Sequence, residues 1–151
     1  MHGYSKDVYQ GEARKMKPVL DHIGIAVPAL EPALEFYGAT LGLGEPIIRL
    51  IPELGLRLAF FDNPDGPIIE LVEASGKTEL RHGDVVVALE VEDLDAAIAQ
   101  YRARGLKVHD QPATENLPLR RGWITKGAGH GTVVELCPKG AVAAFVRGTR
   151  G

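Results

Sequence analysis

Five positions recur in one register: Val27, Leu30, Ala33, Leu34 and Tyr37 are matched 64 residues later by Val91, Leu94, Ala97, Ile98 and Tyr101. A fixed offset of this kind marks a duplicated supersecondary unit, so the chain is restricted to folds that two copies of one module can build together. In each copy the helix-forming residues stand at the i, i+3, i+4, i+7 spacing of one helix face. They follow a strand-like run, Val19–Val27 in the first copy and Asp84–Val91 in the second.

Pro32 suits the first turn of the first helix, and Gly42 and Gly44 end it. Ile47–Ile51, Leu56–Phe61 and Pro67–Val72 then read as three strands, the last two separated by the turn sequence Asp62-Asn63-Pro64-Asp65-Gly66. After Gly105 the second copy continues with Leu106–Val108, Gly122–Thr125 and Thr132–Leu136. The predicted fold class is therefore α+β, with two βαβββ modules at about 18–75 and 82–138 in one domain spanning 18–138. Such strand-rich repeats pair side by side into an open, cavity-containing barrel whose concave face holds a ligand. Residues 1–17 are expected to be a peripheral N-terminal extension, and 139–151 a peripheral C-terminal tail.

Of the 151 residues 45% are hydrophobic, enough for one compact core. A formal net charge of −3 gives no broad positive field for phosphates, so nucleic acid is not expected as a partner. No apolar run approaches the roughly 20 residues of a membrane span, and the opening residues lack a signal-peptide core. With Cys137 the only cysteine, no internal disulfide can form. A cytoplasmic protein is the expectation.

Three polar residues interrupt apolar strands. His22 lies between Leu20 and Gly24 on one strand face, Glu70 sits inside Ile68–Val72, and Glu135 inside Val133–Cys137. The two glutamates are 65 residues apart, close to the repeat offset. A carboxylate inside such a run either faces solvent at a sheet edge or needs a partner, because burying it alone is costly. One imidazole and two carboxylates on facing strands would suit a divalent cation, Co²⁺, Mn²⁺, Ni²⁺, Zn²⁺ or Mg²⁺, with positions left open for water or substrate oxygens. Arg120, Arg121, Trp123 and Lys126 precede the final strand. They read either as a solvated basic loop or as recognition groups for an anionic or planar ligand. The stretch 112–118 is a flap or a plain connection.

The run Leu20-Asp21-His22-Ile23-Gly24-Ile25-Ala26-Val27, with Phe36-Tyr37 and Leu41-Gly42-Leu43, resembles the opening of methylmalonyl-CoA epimerases and related vicinal oxygen chelate (glyoxalase/bleomycin resistance/dioxygenase) proteins. The likeness continues through Ile68–Glu73, Leu89–Ala97, Arg104–Leu106 and Gly131–Leu136, nearly all of 18–138. It implies a glyoxalase-like fold around a metal held by His22, Glu70 and Glu135. A histidine in the first strand of the second module usually supplies a fourth ligand. Here that stretch is Val85-Val86-Val87-Ala88, and the repeat offset independently makes Val86 the partner of His22. His82 does not substitute, lying roughly 13 Å away at about 3.3 Å per strand residue.

The resemblance implies a metal-dependent isomerase or lyase that stabilises the enolate of a small anionic carboxylate or thioester substrate. Glu135 would be the catalytic acid/base; by their place before the last strand Arg120, Arg121 and Trp123 are the expected substrate-binding residues, joined by the loop residue His130 if it bends toward the cavity. A second base is not evident, since Leu56–Phe60 offers only Arg57. The alternative is a metal-free ligand-binding or drug-sequestering protein of the same fold. An iron dioxygenase would need two histidines and a carboxylate, and only one of those histidines is present. Exposed sheet edges suggest a homodimer.

Overall fold

The computed structural model describes residues 17–76 and 79–148; most of the expected N-terminal extension and the end of the tail lie outside them. Strand β1 (Val19–Ala26) leads into helix α1 (Leu30–Leu34), which widens into one π-helical turn over Glu35–Thr40. Strands β2 (Ile47–Ile51), β3 (Leu56–Phe61) and β4 (Ile68–Ala74) complete the first module. The second runs β5 (Val85–Val91), α2 (Leu94–Ala103), β6 (His109–Gln111), β7 (Arg121–Ile124) and β8 (Val133–Pro138). Helix α3 (Ala141–Arg147) follows.

All eight strands join one curled sheet in the order β2-β3-β4-β1-β5-β8-β7-β6. The order reads the same from both ends once each strand is exchanged for its repeat counterpart. Its centre is the antiparallel pairing of β1 with β5, where Ile23 faces Val87. Outward from there β1 runs parallel to β4 and β5 parallel to β8. The two βαβββ modules and the glyoxalase-like α+β class are thus present as expected.

Each face of the sheet is covered for a reason visible in the side chains. On the convex side Leu30 of α1 packs with Val27, Ala59, Phe61 and Leu71. Leu94, Ala97 and Ile98 of α2 pack with Val91, Val108, Ile124 and Leu136 in the same way. Asp93 caps α2 by accepting the Ala96 N–H at 3.0 Å. The concave side is filled partly by Ile51, Leu58, Phe60, Val72, Leu117 and Leu119, so strand alternation sends Leu58 and Phe60 inward and Ala59 and Phe61 outward.

Two expectations are corrected. The strand read at Leu106–Val108 forms three residues later, at His109–Gln111, because Val108 is buried under α2. The segment after Pro138 is not a peripheral tail. Val142 and Val146 of α3 are buried in the concave core, and Phe145 meets Phe60 edge-on at 6.1 Å. Arg147 pairs with Asp62 at 3.0 Å, and Arg49 donates to the Val146 carbonyl, also at 3.0 Å. The helix following the second module is therefore docked on the first.

Leu136, 1% exposed, joins the sheet to α2. Leu136→Ala is expected to lower the unfolding free energy by about 2–5 kcal/mol, read as a shift of the urea midpoint at constant m-value.

Candidate active site

The sheet register decides which polar groups meet. On β4 Glu70 lies beside Gly24, and on β8 Glu135 lies beside Ala88. Gly24 and Ala88 are themselves separated by the repeat offset. His22 faces Ala88 across the central strand pair, so imidazole and carboxylates share the concave face with only small residues between them. A Cβ on Gly24 would stand 3.1 Å from Glu70 Oε1, and the absent side chain leaves that carboxylate its room.

His22 is buried. Its Nδ1 is 2.6 Å from Asp21 Oδ2, while Nε2 is 3.3 Å from Glu70 Oε1 and 3.8 Å from Glu135 Oε1. A neutral ring with a lone pair at Nε2 would repel those oxygens, so a proton or another cation is needed between them. Burial alone would lower the imidazole pKa, but hydrogen bonds to Asp21 and Glu70 and the charges of Glu70 and Glu135 outweigh it, raising the value from 6.5 to about 10. The ring is an imidazolium at neutral pH. For Glu135 burial dominates and raises the pKa, against the opposing pull of Arg121 and His22. Glu135 Oε2 also accepts the Cys137 thiol at 3.2 Å, and burial and the nearby carboxylate keep that thiol protonated.

Arg121 enters from β7. Trp123 faces Glu135 in the β7–β8 register, and Arg121, two residues earlier, projects from the same face. Its Nη1 lies 3.8 Å from Glu135 Oε2 and its guanidinium sits over the Trp123 ring at 5.2 Å. His22, Glu70, Glu135, Arg121 and Trp123 line one cavity of about 800 Å³, whose remaining wall includes Leu56, Leu58, Phe60, Leu117, Leu119 and Val142.

The expected residues are thus divided by the structure. His22, Glu70, Glu135, Arg121 and Trp123 converge on the cavity. Arg120 does not join them, being held outside by Asp95 at 2.7 Å and Asp110 at 2.8 Å. His130 is exposed, with a positive φ of 57°, in the turn before β8, and does not line the cavity. Arg57 is engaged by Glu31 and Glu73 instead. Lys126 reaches the cavity rim but is paired with Asp84 at 2.9 Å.

Two contributions escaped sequence reasoning. Asp21 orients His22, and the Asp-His pair was its available signal. Glu53 clasps the 112–119 segment: its carboxylate accepts from Thr114 Oγ1 at 2.7 Å, the Asn116 N–H at 2.6 Å and Asn116 Nδ2 at 2.8 Å. The segment is therefore a pinned connection that buries Leu117 and Leu119 against the cavity. No local signal singles out Glu53.

The donor set implied for a metal can be tested against these contacts. Position 86 is a valine, 2% exposed and lining the cavity. Glu135 already has a guanidinium beside one oxygen and the imidazolium beside the other. Among the described residues no group of three or more His, Cys, Asp or Glu side chains is arranged to hold a metal ion. The four-donor set does not fit this chain.

An eight-stranded two-module sheet curled around such a cavity defines a glyoxalase-like protein of the vicinal oxygen chelate class. Residues 21–120 match the Glyoxalase/Bleomycin resistance protein/Dioxygenase superfamily, and the chain belongs to it. Among solved structures it is similar to a variant of the Streptomyces coelicolor methylmalonyl-CoA epimerase in complex with 2-nitronate-propionyl-CoA, at 30% identity over 82% of this chain and 96% of that one, TM-score 0.63. It is also similar to the Mycobacterium tuberculosis methylmalonyl-CoA epimerase, at 26% identity over 83% and 91%, TM-score 0.65. A methylmalonyl-CoA epimerase in complex with methylmalonyl-CoA and NH4+ shares 29% identity over 83% and 96%, TM-score 0.64. No curated protein sequence matches the chain.

Two outcomes are expected from the site's electrostatics. The His22 ring resonances stay in the imidazolium position between about pH 5 and 8, and Asp21→Asn moves their midpoint down, read by NMR titration. Since the folded pKa is raised, the stabilisation from this group is fully present below 6.5 and is lost as pH rises through about 10. Glu53 behaves oppositely, its pKa lowered from 4.5 to about 2 mainly by Asn116. Its clasp is complete above 4.5 and lost as pH falls through about 2. Glu53→Gln at neutral pH is expected to hasten proteolytic cleavage within 112–119.

Proposed function

We propose that this chain is an isomerase- or lyase-type enzyme that moves a proton on the carbon beside the carbonyl of a small anionic acyl substrate, a thioester or a carboxylate. The observation carrying this reading is Glu135: a buried carboxylate with a raised pKa, lining a mostly apolar cavity with two cationic groups beside it. Such a group is suited to general acid–base work. The similar epimerases crystallised with CoA thioesters support the substrate class.

In this reading the C–H bond breaks toward Glu135 Oε, which takes the proton, and the bonding electrons spread onto the carbonyl oxygen as an enolate. Positive charge fixed beside that oxygen lowers the barrier. Return of the proton from Glu135 to the same face of the enolate re-forms the C–H bond and regenerates the Glu135 carboxylate. For the other configuration, His22 first gives its Nε2 proton to Glu70, 3.3 Å away, and Glu70 delivers it to the opposite face of the enolate. Glu135 then passes the proton it took to the vacated Nε2, 3.8 Å away. No step is assigned to a metal, because the donors do not fit the implied set.

The second reading, a ligand-binding protein of the same fold, is favoured by Val86 alone. One experiment separates them. The enzyme should exchange the α-proton of methylmalonyl-CoA for deuterium in D₂O, followed by NMR, and Glu135→Gln should slow the exchange about 10²–10⁴-fold without preventing binding. Tight ligand binding with no exchange by the unmodified protein would establish the binding protein instead. A cytoplasmic homodimer completes the proposal. Exposed Val19, Leu20, Ile48, Leu50 and Val85 are apolar surface consistent with self-association, and sedimentation would measure it.

A further inference from the structure

Arg121 is the only lysine or arginine buried among the described residues, at 8% exposed. Its Nε–H is buried without an acceptor. Its nearest carboxylate oxygen, Glu135 Oε2, stands at 3.8 Å, inside ion-pair range but beyond a hydrogen bond. The guanidinium nevertheless has a fixed place, stacked over Trp123 on the strand that lines the cavity. A buried arginine held in position with an Nε–H that has no acceptor is costly to keep unless something completes its contacts.

The same cavity shows a second departure that points the same way. Val86, the repeat partner of His22, contributes hydrocarbon next to Glu70 where a neutral donor would sit, its Cβ 3.4 Å from the place a Gly24 Cβ would occupy. The site has thus lost a donor for a cation on one side and holds a permanent cation on the other.

We propose that Arg121 supplies the fixed positive charge of this site in place of a metal ion, binding an oxygen of the ligand's carboxylate or carbonyl group directly. A guanidinium presents planar paired N–H donors suited to such oxygens and stays charged at any working pH. Binding then requires no divalent cation, and the pair of Trp123 and Arg121 fixes where the ligand's anionic end lies in the cavity. The inference shares with the proposed function the anionic acyl character of the ligand and the place of Arg121 beside Glu135, and it does not depend on proton transfer.

The test uses the full chain purified without a metal-affinity tag and dialysed against chelator. Thermal unfolding is followed with Mn²⁺, Co²⁺, Ni²⁺ or Zn²⁺ added, and separately with sodium malonate as an oxyanion probe. Malonate should raise the Tm by roughly 4 °C or more at saturation, and none of the metals should. Arg121→Leu should abolish the malonate response and Arg121→Lys should weaken it about tenfold, through loss of the paired donors. Stoichiometric metal retained after dialysis, a Tm raised by a metal, or an Arg121→Leu protein that still responds to malonate would overturn the proposal. Should Arg121→Leu fail to fold, the metal and malonate titrations of the unmodified protein still decide. Because no step depends on turnover, an absence of proton exchange would count against the enzymatic reading and leave this inference standing.

Discussion

The pairing of β1 with β5 is the contact on which the rest of the molecule depends. Its antiparallel register brings Ile23 opposite Val87 and so sets a pseudo-twofold relation through the middle of the sheet. Everything lateral follows by repetition: a parallel strand on each side, and on each of those strands a glutamate beside the small residue two positions past His22 or Val86. A slip of one residue in that central register would turn one module's inward face outward, and the two acids would no longer share a cavity.

Placing two carboxylates together indoors creates an electrostatic problem that the chain answers with its own side chains. His22 is drawn into the imidazolium form by Asp21 on one nitrogen and the glutamates facing the other. Arg121 approaches Glu135 from the opposite side. Against three acids, Asp21, Glu70 and Glu135, stand two cations whose positions are fixed by strands rather than by flexible loops. His22 and Arg121 carry this compensation, while Val86, the repeat partner of His22, contributes only hydrocarbon to the cavity.

Much of this was legible in the residues because duplication converts spacing into geometry. The helix faces and most of the strands follow from one offset, the two glutamates from that offset plus one residue, and His22 from its place in an apolar strand. What escaped was whatever breaks the repeat. Arg120 and Arg121 are neighbours of the same type, and only the alternation of β7 sends one into the cavity and the other to Asp95 and Asp110. His130 was an ambiguous loop histidine, and its left-handed turn leaves it in solvent. Glu53 acts on residues 61 and 63 positions away, a relation no local pattern encodes. The short Ala-Val-Ala-Ala-Phe-Val run after Gly140 lacked the length to announce a core helix.

That last helix alters how the molecule should come apart. Arrays of repeats often unravel piecemeal, since each unit touches only its neighbour. Here α3 grows out of the second module yet anchors on Asp62, Arg49 and Phe60 of the first, while the 112–119 segment is tied to Glu53 from the same direction. With two such ties between the halves, neither copy has a complete interior by itself, and a protein assembled from repeats acquires the all-or-none melting of an indivisible domain.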